Sequence, residues 1–493
     1  MSPAYDYDVV VIGSGSGGLA AAKTAVQYGA KTAIIERLDR LGGDCTWFGC
    51  VPSKALIRCS RAVAEAKASA RFGVEGIDPG AVRCDWPKVQ AHVKACQNHI
   101  YKQDDSPEVL GREGITVITG HTAAFVDPHT LRLTRAADAP EAGVPTTVTG
   151  DRFILSTGAG PNLPPIAGLE EVPYLTYETV FSMEKFPASL CVVGGGPIGS
   201  ELAQAFARLG SKVTQVGTLL PREDDHVREV MREVFREDGI ESVEGRASKA
   251  RREGDGIVLE VSGGAQVRTD ALLVASGRKP KGLETLDLDK AGVRWSQKGI
   301  VADSKLRTSC PHIFAVGDCL GGLQFTHLAG YQGAFAAFNA VLPVSVTGPK
   351  PEQCPRCTFT HPEVASVGLS EQEAREKLGE NLCIAMKRMD HVDRAICEGE
   401  TRGFIRILHT KKGKMLGATV VAPVAGEVAS ELGVAIEAGV TIGQAATMHS
   451  YPSYSFALQQ IFGEIYSKQL NTSAKLSCLR RCCGRRLRGK AMD

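Results

Sequence analysis

Residues 7–12 (YDVVVI) form a short β-branched apolar run, the pattern of a strand buried in a parallel sheet. The run ends at Gly13-Ser14-Gly15-Ser16-Gly17-Gly18. A helix-like stretch follows over 19–28, Gly29 closes it, and 31–35 reads as a second strand ending in Glu36. The pattern returns further on, with an apolar strand over 190–193, glycines at 194, 195, 196 and 199, a helix running to Leu209 and a strand over 212–216. Two such units predict an α/β fold with two nucleotide-binding domains.

The glycine spacing supplies the chemistry. Gly13 permits the tight turn, Gly15 lets the backbone approach a pyrophosphate, and Gly18 lets helix pack on strand. The helix N-terminus offers free N–H groups to phosphate. Glu36 is placed to accept hydrogen bonds from an adenosine ribose. Gly194, Gly196 and Gly199 repeat the fingerprint, and two sites on one chain suit hydride transfer between two cofactors. After the strand at 212–216, an acid would favour NADH and a basic cluster NADPH. This chain has Gly217-Thr218-Leu219 in a shortened turn, then Pro221-Arg222-Glu223-Asp224, so the reading leans to NADPH for want of an acid.

Cys45 and Cys50 follow the second strand, in the segment GGDCTWFGCVPSK that ends at Lys54. A helix-compatible stretch over 55–70 comes next, and Pro52 suits a first turn. A helix start favours thiolate over thiol. Two cysteines alone do not make a structural zinc site, and two buried free thiols are the other plain alternative. The adjacent fingerprint makes redox chemistry the stronger reading.

This segment resembles the redox-disulfide signature of the flavin-dependent pyridine-nucleotide disulfide oxidoreductases, a family that includes glutathione reductase, dihydrolipoamide dehydrogenase and mercuric reductase. The resemblance implies FAD at the first fingerprint and NAD(P)H at the second. It implies that Cys50 lies nearest the flavin, that Cys45 exchanges with substrate, that Lys54 sits by the flavin ring and that Glu201 lies close to the nicotinamide. Ser156-Thr157-Gly158 and Ala275-Ser276-Gly277-Arg278 resemble the crossings between the two nucleotide domains. Residues 308–318 (TSCPHIFAVGD) resemble the return to the flavin, which implies Asp318 on its ribityl chain. From Cys354 onward the chain resembles the family's α+β dimerisation domain, implying a homodimer in which Tyr451 reaches the partner's disulfide.

The expected organisation is therefore a first FAD segment over 1–155, an NAD(P) domain over 156–280, a second FAD segment over 281–348, an interface domain over 349–470 and a tail over 471–493. Within the interface domain, Cys354 and Cys357 lack a second pair at zinc spacing and read as two strand residues.

The departure from the family pattern lies at 448–456 (MHSYPSYSF), where glutathione and lipoamide enzymes carry a His-Pro and then a Glu as general acid/base. Tyr451 stands in the His position and Phe456 in the Glu position. His449 is two residues off, which on an extended strand leaves it about 6–7 Å away on the same side. A phenol with an ordinary pKa near 10 is a poor base at neutral pH. Mercuric reductases also lack this pair, place tyrosine near the metal and end in vicinal cysteines, and the tail here carries Cys478 and Cys482-Cys483. Soft thiolates suit a soft ion, so Hg(II) held transiently by Cys45, Cys50, Cys482 and Cys483 is the expected substrate, with no structural metal. A dihydrolipoamide dehydrogenase-like or quinone reductase activity is the enzymatic alternative; a redox-sensing or membrane-recruited flavoprotein is the alternative of another class.

Composition narrows this little further. With 43% hydrophobic and 23% charged residues the chain reads as globular, and a net charge of +2 gives no reason to expect nucleic acid. Fifteen cysteines, an odd number spread over 493 residues, suggest a reducing compartment. With no apolar run of membrane length and no secretory pattern, the expectation is cytoplasmic. The tail from Lys475 holds seven Lys or Arg and one Asp, which admits weak contact with an anionic membrane surface or a solvated tail.

Overall fold

The computed structural model describes residues 5–135 and 144–472; Cys478, Cys482, Cys483 and the basic tail lie outside the described residues. The chain divides into two units, one ending at Pro351 and the other starting at Glu352.

The first unit is built on two parallel-strand cores. In the first, Tyr7–Ile12 lies between Thr32–Ile35 and Thr147–Leu155, all in parallel, with Ile115–Ile118 beyond Thr32–Ile35. Ile313–Ala315 adds in parallel to the far side of Thr147–Leu155, so the chain returns to this sheet late in the sequence. Register decides what emerges at the carboxyl edge. Ile12 pairs with both Ile35 and Leu155, and Leu155 pairs with Ala315. Gly13, Glu36, Ser156 and the Gly317-Asp318 segment therefore leave the sheet side by side. The central strands are buried on both faces, as their unbroken apolar runs require.

The helix Ser16–Gln27 packs onto this sheet only because of glycine: a Cβ on Gly18 would lie 1.9 Å from Gly13 O. The second core repeats the device. Its strand order is Glu241–Val243, Lys212–Val216, Ser189–Val193, Ala271–Val274, all parallel. There a Cβ on Gly199 would lie 2.0 Å from Gly194 O, beneath the helix Pro197–Leu209. An antiparallel meander over Ala247–Glu253, Gly256–Val261 and Gln266–Thr269 shares an apolar core with this sheet, through Leu259, Val261, Cys191 and Leu272. The two crossings between the cores run together, Ala159–Pro161 pairing antiparallel with Arg278–Pro280.

The second unit is a five-stranded antiparallel sheet in the order Arg356–Thr358, Glu363–Gly368, Met415–Ala422, Phe404–Thr410, Leu382–Arg388. Val428, Ala429 and Leu432 of the helix Ala425–Glu437 pack in one core with Ala457, Leu458 and Ile461 of the helix Phe456–Thr472. Cys357 lies in the edge strand, whereas Cys354 precedes it. Residues 447–455 are not the extended strand assumed in placing His449. Residues 447–450 have no regular structure and 451–454 are bends, so strand spacing does not apply there.

Gly18→Ala should force the helix off the first strand. Overpacking of this kind costs about 1–3 kcal/mol, so thermal unfolding should begin at lower temperature and flavin content should fall. An unchanged melting curve with full flavin would contradict the packing described.

Candidate active site

The cysteines reach the first fingerprint through two glycines. Gly42 and Gly43 take φ of +105° and +57°, and a Cβ on Gly43 would lie 2.6 Å from Gly15 Cα. The segment is thus laid directly against the fingerprint turn, with Gly42 N donating to Ser14 O at 3.1 Å. Cys45 sits in the short helix Gly43–Trp47, and Cys50 is the first residue of the helix Cys50–Ala68. Trp47 Nε1 donates to Leu41 O at 2.6 Å and Gln97 Nε2 to Trp47 O at 2.8 Å, which fixes the loop between the two thiols.

Both cysteines are free thiols, and they are made unequal. The Cys50 thiol is lowered to about 6: the hydrogen bond from Cys45 outweighs the opposing effect of burial, helped by Thr326 and the charge of Lys54, and resisted by Glu201. Thr326 Oγ1 lies 3.1 Å from Cys50 Sγ. The Cys45 thiol is raised, first by its hydrogen bond to Cys50 and then by burial. The pair is therefore a thiolate at Cys50 beside a thiol at Cys45. Thr326 was not anticipated from sequence; its one local sign is its place as first residue of the helix Thr326–Val341.

Lys54 joins the two nucleotide cores. Its Nζ lies 2.8 Å from Glu201 Oε2, on the helix of the second fingerprint, with Lys54 37% and Glu201 7% exposed. A second cluster ties the crossings to the redox loop. Arg278 Nη1 lies 2.6 Å from Asp318 Oδ2, and Arg278 Nη2 meets Asp44 Oδ2. Tyr177 donates to Asp44 at 2.9 Å, with its ring 5.1 Å from the guanidinium. Burial pushes the Asp318 carboxyl up, with Arg278 opposing. Asp44 and Tyr177 were also missed in the sequence. Thr157 and Gly158, the latter at φ +73°, leave the first sheet at the same edge, and Gly277 turns at φ +106° just before Arg278.

Each fingerprint has the cradle its cofactor needs. A Cβ on Gly15 or Gly196 would meet nothing within 4 Å, so the backbone at both helix starts is open to approach. Glu36 accepts from Ser14 N at 2.9 Å, Ser14 Oγ at 2.7 Å and Leu38 N at 3.0 Å, which holds its carboxylate at the strand end facing the first cradle. These features fit FAD at the first site and a nicotinamide dinucleotide at the second.

In the second unit, Tyr451 is 65% exposed and donates to Asp393 Oδ2 at 3.2 Å, a bond that holds the phenol above its ordinary pKa. Its ring stands edge-on to Phe456 at 5.1 Å. His449 is committed elsewhere: Nε2 lies 2.8 Å from Glu431 Oε1 and Nδ1 2.9 Å from Thr447 O. Both ring nitrogens thus face an acceptor within the same unit, which ties the ring in place away from Tyr451. Burial pushes the Cys354 thiol up to about 11, the environment of an inert structural thiol. Among the described residues no group of three or more His, Cys, Asp or Glu is placed to hold a metal, and no helix is long and apolar enough to cross a membrane.

Two parallel nucleotide cradles with a thiol pair against the first define a flavin disulfide oxidoreductase. The chain belongs to the pyridine nucleotide-disulphide oxidoreductase family: that family's model matches residues 7–333, and the model of its dimerisation domain matches 354–461. It is 34% identical over 489 residues to a mercuric reductase of Streptomyces lividans, covering 97% of this chain and 98% of that protein. It is 32% identical to the dihydrolipoyl dehydrogenase of Bacillus subtilis, over 84% of this chain and 89% of that one. Among solved structures it resembles the HOCl-induced flavoprotein disulfide reductase RclA of Escherichia coli, with TM-score 0.80, 25% identity, and coverage of 93% of this chain and 99% of that one. The protein is thus an FAD-dependent, NAD(P)H-linked disulfide oxidoreductase, and its dimerisation domain serves a homodimer.

The asymmetry of the thiols predicts a pH profile. In reduced protein, thiolate at Cys50 should persist down to pH about 6 and disappear below it as the thiol protonates. Cys45→Ala or Thr326→Val should raise that midpoint, and Glu201→Gln should lower it, as read from alkylation rate against pH. A midpoint that none of these changes moves would contradict the assigned causes.

Proposed function

We propose that this enzyme is mercuric-reductase-like, passing two electrons from NAD(P)H to a soft metal ion held by Cys45 and Cys50. The observation that carries the reading is the state of the 448–456 segment. Tyr451 donates to Asp393 and both nitrogens of His449 are taken, so the segment offers no free imidazole for dithiol exchange. A soft ion needs no such base, since thiolates bind it directly and their protons pass to solvent. The likeness to mercuric reductases over nearly the whole chain supports the same substrate class.

Bound FAD supplies the two-electron relay between nicotinamide and the cysteine pair. The chain's own residues set the rest. Glu36 and the open backbone at Gly15 would hold the adenosine and pyrophosphate of FAD, while Asp318, already paired to Arg278, would take the ribityl side. Lys54 would lie beside a bound flavin and Glu201 beside a bound nicotinamide, the two side chains holding each other, and the Cys50 thiolate stands ready while Cys45 keeps its proton. The sum, NAD(P)H plus Hg(II) giving NAD(P)⁺, H⁺ and Hg(0), balances at two electrons. Tyr451, contributed by the partner of a homodimer, lines the acceptor side.

Purified enzyme should oxidise NAD(P)H in the presence of Hg(II) and excess small thiol, and Cys50→Ala should remove at least about 99% of that rate, in the range expected when a nucleophile is lost. Full activity in Cys50→Ala would overturn the thiol route. Dihydrolipoamide should react slowly with the native enzyme. Tyr451→His combined with Phe456→Glu, two positions whose rings already touch, should raise that rate about tenfold or more, in line with the contribution of a placed general base. Rapid native turnover of dihydrolipoamide would instead favour the dihydrolipoamide dehydrogenase reading.

A further inference from the structure

The turn after Lys212–Val216 carries no ionisable side chain where a dinucleotide fold reads the ribose 2′ position: Gly217 stands there, at φ +115°. The turn then closes on the fingerprint. Leu220 N donates to Gly195 O at 2.7 Å, and a Cβ on Gly195 would lie 2.0 Å from Thr218 O. Leu219 and Leu220 are buried, and the first basic residue after them, Arg222, is exposed.

A carboxylate arrives from the next strand instead. Glu241–Val243 runs parallel to Lys212–Val216 with Val243 opposite Val216, and Gly217 N donates to Val243 O at 2.9 Å. Glu244 therefore leaves the sheet beside Gly217. Thr218 Oγ1 donates to Glu244 Oε2 at 3.1 Å, which pins the carboxylate at the turn. Arg232 reaches it only at 3.9 Å, and the Glu244 side chain stays 60% exposed, open to a ligand.

We propose that Glu244 selects the coenzyme, accepting a hydrogen bond from the 2′-hydroxyl of the adenosine ribose and repelling a 2′-phosphate, so that the enzyme takes NADH ahead of NADPH. This reverses the direction expected from the turn's own sequence. It rests on residues 194–199 being the coenzyme's pyrophosphate cradle. The physical logic is that of the acid usually carried by the preceding strand, with the charge supplied one strand over. Arg232 and Arg246 are the opposing charges nearby in the chain, and Arg232 already points at Glu244.

The test is calorimetric titration of the FAD-loaded protein with ADP-ribose and with 2′-phospho-ADP-ribose, which measures binding without turnover. ADP-ribose should bind tighter by about tenfold or more, and Glu244→Gln should shrink the ratio by about as much. Thr218→Val, which removes the donor that pins the carboxylate, should give a smaller shift in the same direction. Equal or tighter binding of the phosphorylated ligand, or a ratio unmoved by Glu244→Gln, would overturn the proposal. Failure of both ligands to bind would count against the cradle at 194–199 itself, and the proposal would fall with it.

Discussion

The contact between Lys54 and Glu201 joins the two halves of the chemistry. Lys54 lies one turn beyond Cys50 on the redox helix, and Glu201 lies in the first turns of the helix that opens the second fingerprint. With Lys54 over a third exposed, solvent screens the pair. Its worth in stability lies nearer the ~0–1 kcal/mol of a surface pair than the value of a buried one. Its importance is positional. It fixes the redox helix against the helix of the second fingerprint, while the packing of these two helices, on which Leu56 and Leu202 are both buried, carries the energy.

Around that contact the fold spends its glycines in the same way twice. In each nucleotide core one glycine turns at positive φ, one lies open at the helix start and one permits the helix to touch the preceding carbonyl. The redox loop adds a third close approach, Gly43 on Gly15, and this brings Cys45 and Cys50 against the first cradle. Electrostatics then differentiate the thiols. One hydrogen bond between them lowers Cys50 and raises Cys45, so the two thiols differ in their readiness to ionise. The Arg278–Asp318–Asp44 cluster extends the same economy, since one guanidinium links both crossings' side of the molecule to the residue next to Cys45.

Much of this was legible in the sequence because it is local. The strands Tyr7–Ile12 and Lys212–Val216 fall on the apolar runs that announced them, and the fingerprints are contiguous in the chain. The cysteine segment was legible for the same reason, although the break into two helices around Phe48 and Gly49 was not, since short helices carry little periodic signal. What escaped was long-range. Asp44 and Arg278 meet across 234 positions, and no spacing rule connects them. Glu244 was invisible as a ribose reader because its place beside Gly217 comes from strand register rather than from the turn. His449 was misplaced because strand geometry was assumed for an irregular segment, and its partner, Glu431, lies on the helix Ala425–Glu437.

The most direct test of the central claim is an anaerobic titration of the FAD-loaded enzyme with NADH and with NADPH, recording the flavin spectrum. Uptake of two electrons should produce a long-wavelength absorption band from the Cys50 thiolate against oxidised flavin, appearing at neutral pH and fading as pH falls through about 6. Direct bleaching of the flavin with no such band would contradict the account, because it would show that Cys45 and Cys50 stand outside the path of the electrons.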